Sequence, residues 1–245
     1  MARNQLVSTD IGSFKIDRRM IMLLVLAGLA LSSWRFLAEY PQHNPWAPLD
    51  LNDPPGWATA RKLSALKESP EVCRSVLERS QIAFTALEPA EAADAACSRP
   101  DRTALDEFPF SGNNPATTCT IAAGLQLWME KTVQPTADDI FDSAVISVQH
   151  LGTYSCRRLY GADGGPWSEH ATGNAIDISG FILADGTKIN LLNDWNGESE
   201  KTLFLRAIRD GACSSFGTVL SPDYNAAHRD HFHFDQANRS WSVCR

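Results

Sequence analysis

Ser168-Glu169-His170-Ala171-Thr172-Gly173-Asn174-Ala175-Ile176-Asp177 runs from a polar turn into an apolar alternation and carries a histidine and a carboxylate seven positions apart. Its end, continued through Ile178 to Leu183, reads as a β-strand: with a period of two, Ile176 and Ile178 share one face and Asp177 takes the other. Near the C-terminus, His231-Phe232-His233-Phe234 repeats the arrangement, with both histidines on one side and both phenylalanines on the other. Each strand therefore has an apolar side for a core and a polar side for a cleft. His170 precedes its strand in a loop made compact by Gly173, from which it can fold back toward Asp177. With His228, four of the six histidines of the chain fall in these two stretches. A mixed His/Asp/His set fits the three-ligand pattern of a zinc ion that keeps one position open. Two imidazoles favour zinc or another late transition metal over calcium or magnesium.

The flanking sequence supplies the fold class. From Ala144 onward, short strands are expected at 144–148, 175–183, 188–192, 217–220 and 231–235, with a helix at 198–210 stopped by Gly211. Upstream, Ala60, Leu63 and Leu66, then Val72, Val76, Leu77 and Ile82, mark one or two amphipathic helices between Gly56 and Leu87. The stretch from Pro89 to Thr118, rich in Ala, Pro, Asp and Asn, reads mainly as loop, and Ile121, Leu125 and Trp128 set a helix over 120–133. Helical segments first and a small, mostly antiparallel sheet later make the chain α+β, with the metal site on the sheet. No internal repeat and no low-complexity tract interrupts this order.

The N-terminus reads as an export signal. Met20 to Trp34 is an uncharged, mostly apolar run with Arg18-Arg19 before it and Arg35 after it. A full membrane span needs ~20 residues, and snorkelling by Arg35 lets Phe36, Leu37 and Ala38 join the buried stretch. No clear small-x-small cleavage site ends the run, which favours an uncleaved anchor over a signal peptide. By the positive-inside rule, residues 1–19 form a cytoplasmic leader, residues 20–38 cross the inner membrane, and the remainder is translocated. Pro41, Pro45, Pro48, Pro54 and Pro55 make residues 39–56 an expected extended linker that holds the domain, 57–245, off the membrane. Six scattered cysteines without a Cys-x-x-Cys pair suggest up to three disulfides in an oxidising compartment. The spacing does not choose their pairing. A net charge of -7 without a basic stripe argues against a nucleic-acid partner.

Ser168, His170, Gly173, Ala175 and Asp177 reproduce the Ser-x-His-x-x-Gly-x-Ala-x-Asp motif of the zinc peptidases that include D-Ala-D-Ala carboxypeptidases, murein endopeptidases and the hedgehog fold. Cys156-Arg157, Gly180-Phe181, Asp185-Gly186, Asp194-Trp195, Phe204-Leu205-Arg206, Pro222-Asp223-Tyr224-Asn225 and His228 to Phe234 resemble one branch, the bacterial extensin-like C-terminal domain proteins. The resemblance covers roughly residues 55–245 and is strongest after Tyr154. It implies that His170, Asp177 and His233 bind one zinc ion per chain, leaving a coordination position for water. It also implies a periplasmic hydrolase of peptidoglycan peptide bonds, of endopeptidase or carboxypeptidase type.

Two residues compete for the general base. Many peptidases of the wider family place Glu three residues before the last ligand, where this chain has Asp230. Murein endopeptidases instead resemble it in a His-x-x-His-x-His arrangement, here His228, His231 and His233. Strand alternation favours His231, and a bulge before it would reverse that preference. The resemblance further implies a cation that holds a substrate carboxylate or oxyanion: Arg157, or Arg158 as an equal candidate by position. Ser168 is expected to hydrogen-bond substrate or steady the zinc loop, whereas Trp195 and Tyr224 read as packing or cleft wall. The alternative function is a non-catalytic, zinc-containing cell-wall binding or structural module, as hedgehog-type relatives illustrate. Asp230 and His231 beside the ligands favour the enzyme.

Overall fold

In the computed structural model, which describes residues 15–237, 239 and 242–245, the first element is a solitary helix, α1 (Lys15–Glu39). Its apolar window within Arg18–Glu39 is not buried at all, so it is no core helix, and its length and composition suffice to cross a membrane. Residues 1–14 of the expected leader lie outside the described residues.

The stretch expected to be a free linker is not one. Leu49 and Leu51 are buried in a core with Leu63, Cys73, Val76, Leu77, Ala123 and Leu127. Prolines prevent a helix there but leave the two leucines free to seek apolar cover, and burial of a leucine is worth ~1.5–3 kcal/mol. Helices α2 (Thr59–Ala65) and α3 (Pro70–Arg79) supply the other side of this core. In α3, Pro70 and Glu71 open the first turn, Arg79 closes the last, and Cys73, Val76 and Leu77 fall on one face. Cys73 is disulfide-bonded to Cys119.

Strand β1 (Phe84–Ala86), at the end of the span read as helical, pairs antiparallel with β2 (Thr103–Leu105), inside the stretch read as loop. All three β2 residues are buried, so no polar/apolar alternation marks it in the sequence. Helix α4 (Cys119–Trp128) lies between the two cores, which explains its lack of a polar face: Ile121, Ala122, Leu125 and Trp128 serve the larger core, Cys119, Ala123 and Leu127 the smaller. It continues through a π turn, Met129–Val133, into α5 (Gln134–Phe141), beyond the expected end. Pro135 has no N–H to donate to the preceding turn, and the helix widens there.

The second half is the sheet. It comprises β3 (Val145–Gly152), β4 (Ala175–Leu183), β5 (Lys188–Asn190), then helices α6 (Leu191–Asp194) and α7 (Glu200–Ala212), and β6 (Thr218–Leu220), β7 (Phe232–Asp235) and β8 (Val243–Cys244). Strand order is β3-β4-β7-β6-β8, with β5 also on β4. One edge of β4 pairs with β3, while its other edge is shared between β7, along 175–178, and β5, along 180–182. All pairings are antiparallel except β6 with β8, so the chain is α+β with helices first.

The larger core covers the apolar face of this sheet. Trp128 meets Phe181, Phe216 and Phe234 edge-on at centroid distances of 6.0, 6.5 and 5.0 Å, and its indole N–H donates to the Ile208 carbonyl at 2.8 Å. Ser199 caps α7, its Oγ accepting from Thr202 N. Gly211 was expected to stop α7 but lies within it. A Cβ there would fall 2.2 Å from Thr132 Cγ2, so this glycine serves the close approach of α7 to the π turn.

Candidate metal centre

Ser168 opens the turn Glu169–Thr172, its Oγ accepting from His170 N at 3.3 Å. Gly173 closes that turn at φ +74, a left-handed conformation that lets the chain double back at once into β4. The loop is fastened from behind. Glu169 accepts from Lys67 at 2.9 Å and from Asn174 at 2.6 Å, and Asn174 Oδ1 accepts from Thr118 at 2.9 Å. Ser168 thus steadies the loop that carries His170, which is only 4% exposed.

Asp177 on β4 stands directly opposite His233 on β7, with the pairs Ile176–Phe234 and Ile178–Phe232 on the core side. This is the alternation expected of both strands, now in one register. His170 Nε2 lies 3.2 Å from Asp177 Oδ1 and 3.1 Å from His233 Nδ1, which is itself 2.9 Å from the same oxygen. The three ligand atoms lie within 4.8 Å of one another, a group able to hold a metal ion.

The outer nitrogens of both rings are already committed. The Thr153 carbonyl can only accept, so His170 Nδ1 donates to it at 3.2 Å and a neutral ring keeps its lone pair on Nε2. His233 Nε2 donates to Asp235 at 3.1 Å, directing Nδ1 inward. Asp235, 3% exposed, was not anticipated from the sequence. It continues the alternation His231, His233, Asp235 along one face of the strand, which is the signal that could have found it.

The charges suit a cation. Burial pushes the Asp177 carboxyl up, but hydrogen bonds and charge from His170 and His233 outweigh it and hold the group well below the usual carboxylate range. Burial works against the His233 imidazolium, yet hydrogen bonds to Asp177 and Asp235 raise its pKa to about 9. Without metal, a proton sits among these carboxylates, and a metal ion would displace it. Asp235 is likewise held ionised: burial opposes its charge, and His233 favours it. Two inward-directed imidazoles and one carboxylate therefore fit a late transition metal.

His231 stands beside the cluster, with Nε2 3.7 Å from Asp177 Oδ1 and Nδ1 2.9 Å from Asp230 Oδ1. Asp230 does not line the cleft above the cluster; its carboxylate contacts the far side of the His231 ring. His228 lines the cleft, donates through Nδ1 to Asn225 at 2.8 Å, and has its pKa lowered to about 4 by burial and by repulsion from His233 and His231. The cleft measures ≈ 940 Å³ and is walled by Trp167, Tyr160, Tyr224, Arg157 and Arg239. The two arginine candidates separate here: Arg157 lines the cleft, whereas Arg158 stacks on Trp167 at 4.3 Å and donates to the Gly165 carbonyl. Cys97–Cys156 fixes the chain next to Arg157, and Cys213–Cys244 ties α7 to β8. Trp195 is buried, and its indole donates to Asp223 at 2.8 Å.

The family model for the extensin-like protein C-terminus matches residues 71–245, from α3 to the last strand. The chain belongs to this family. All of the cluster and cleft lies within the extensin-like region, whereas α1, α2 and the buried Leu49 and Leu51 precede it. The sequence resemblance placed the start of the domain earlier, near residue 55, and the structure packs those earlier residues onto the extensin-like region without their being part of the match. Neither the curated proteins nor the solved structures give a match to this chain.

Proposed function

We propose that this extensin-like protein is a zinc-dependent hydrolase of peptidoglycan peptide bonds, held on the periplasmic side of the inner membrane by α1. One observation carries the reading: two imidazole nitrogens and a carboxylate oxygen converge within 4.8 Å, with the other nitrogen of each ring already bound to an acceptor. Such ordered ligands, with no fourth protein ligand in the group among the described residues, are what a catalytic zinc requires. The motif Ser168-x-His170-x-x-Gly173-x-Ala175-x-Asp177 supports the link to zinc peptidases. Three disulfides and a span-length N-terminal helix agree with an exported domain.

His170, Asp177 and His233 would hold the ion, which when bound supplies Lewis acidity that acidifies water and polarises an amide carbonyl. His231 accepts the proton at Nε2, and Asp230, hydrogen-bonded to Nδ1, stabilises the imidazolium that results. Asp230 thereby acts through His231 and not as the base itself. Arg157 on the cleft wall meets a substrate carboxylate or the developing oxyanion. The aromatic walls, Trp167, Tyr160 and Tyr224, pack against the peptide.

The test has two readings of one preparation. The purified chain should carry about one zinc ion, as the three-ligand pattern requires, and failure to take up zinc removes the metal centre. Purified peptidoglycan is then digested with wild type and His231→Ala and the fragments are resolved. New peptide termini from wild type only are expected. No cleavage by a zinc-loaded wild type would leave the wall-binding module as the function.

A further inference from the structure

Nine residues separate the end of α1 at Glu39 from Leu49, the first buried leucine of the smaller core. A free strand of that length reaches about 30 Å. Here it is folded and fastened at both ends. Tyr40 N donates to the Phe36 carbonyl at 2.9 Å and Asn44 Nδ2 to the Leu37 carbonyl at 3.4 Å, continuing the helix into the turn Pro41–His43. From the domain, Lys62 Nζ donates to the Pro41 carbonyl at 2.7 Å and Trp57 N to His43 Nδ1 at 3.4 Å. The Gly56 backbone comes so near that a Cβ there would lie 2.4 Å from Gln42 O. The domain is bolted to the end of the helix.

Large aromatics stay in the open around this joint: Trp34 is 76% exposed, Trp46 84% and Trp57 65%. Phe36, His43 and Trp57 form a stacked ladder with centroid steps of 5.8 and 6.3 Å. Beside Trp57 opens a second cleft of ≈ 240 Å³, lined by Arg61, Arg239, Ser64 and Ser242 and by no acidic residue among the described ones. Exposed indoles at the end of a span-length helix match the headgroup level of a bilayer, and guanidinium groups match lipid phosphates.

We propose that the face bearing Trp46, Trp57 and the Arg61/Arg239 cleft lies on the outer surface of the bilayer that α1 crosses. The inference rests on α1 being an uncleaved span. Ala237 and Arg239 line both clefts, so the metal centre opens beside the membrane and not at the end of a tether.

The full chain is reconstituted into phosphatidylethanolamine/phosphatidylglycerol vesicles with bromine on the lipid chains just below the headgroups. Flotation and tryptophan quenching are then measured. Under the proposal Trp34, Trp46 and Trp57 meet lipid, so W46F/W57F keeps roughly one third of the bromine-quenched emission, that of Trp34. Unchanged bromine quenching in W46F/W57F, with the lost emission drawn instead from the fraction quenched by aqueous acrylamide, overturns the proposal and leaves the anchor standing. A chain that does not float, or whose α1 is removed, overturns the anchor and the proposal together. R61Q/R239Q is expected to lower bromine quenching on these anionic vesicles, and no change removes the arginine cleft from the docking face.

Discussion

On one face of β7, Phe232 and Phe234 stack at 5.7 Å and Phe234 also packs against Trp128 and Phe216; on the other, His231, His233 and Asp235 meet individual polar partners. The aromatic face is redundant, because dispersion and burial are shared among many neighbours and no single contact sets a geometry. The polar face is not. Removing one carboxylate or ring nitrogen leaves a buried partner with nothing to bind. Stability therefore resides on one side of a four-residue strand and the cluster able to hold a metal ion on the other, joined by the backbone pairing of Asp177 with His233.

The comparison breaks most visibly at Phe234. Phe234→Ala should cost about 3–5 kcal/mol by urea unfolding, while zinc content in the folded fraction stays near wild type. Loss of zinc without loss of stability would show that the two faces are not separate. His231→Ala should do the converse, lowering peptidoglycan cleavage by ~10²–10⁴-fold with stability and zinc content preserved. Were zinc lost instead, His231 would be a ligand. Asp235→Asn keeps the shape of the side chain but weakens its grip on His233. Chelator competition should then show metal affinity reduced by ~10–100-fold, and an unchanged affinity would reduce Asp235 to packing. The smallest effect is expected at Arg158→Gln, within about 0.5 kcal/mol of wild type in stability and without effect on cleavage. A cleavage defect there would return Arg158 to the site in place of Arg157.

Regions with a strong period were legible in the chain, and regions held by long-range contacts were not. The β4 limits at Ala175 and Leu183, and the cofacial His231 and His233, follow from alternation that any half-buried strand must obey. β2 and β8 have three and two residues, too few to show a period, and exist only because β1 and β6 offer them hydrogen bonds. Leu49 and Leu51 sit among prolines, where local preference speaks for a linker, and only the groove beside α3 and α4 explains their burial. Gly211 carries the usual sign of a helix end, overridden because Thr132 lies against it.

By itself the sequence determined the α+β order, the apolar N-terminal helix, the even set of cysteines and the cofacial polar residues of two strands, since each rests on residue type or local period; the choice of His170, Asp177 and His233 as a candidate ligand set came from the family resemblance. Tertiary structure decided the rest: which cysteines pair, that Asp235 and the Thr153 carbonyl orient the two rings, that Asp230 sits behind His231, and that Arg157 faces the cleft while Arg158 does not. Those choices depend on direction and distance between groups far apart in the chain. A period of two or 3.6 fixes which face a side chain takes, but not what it meets there.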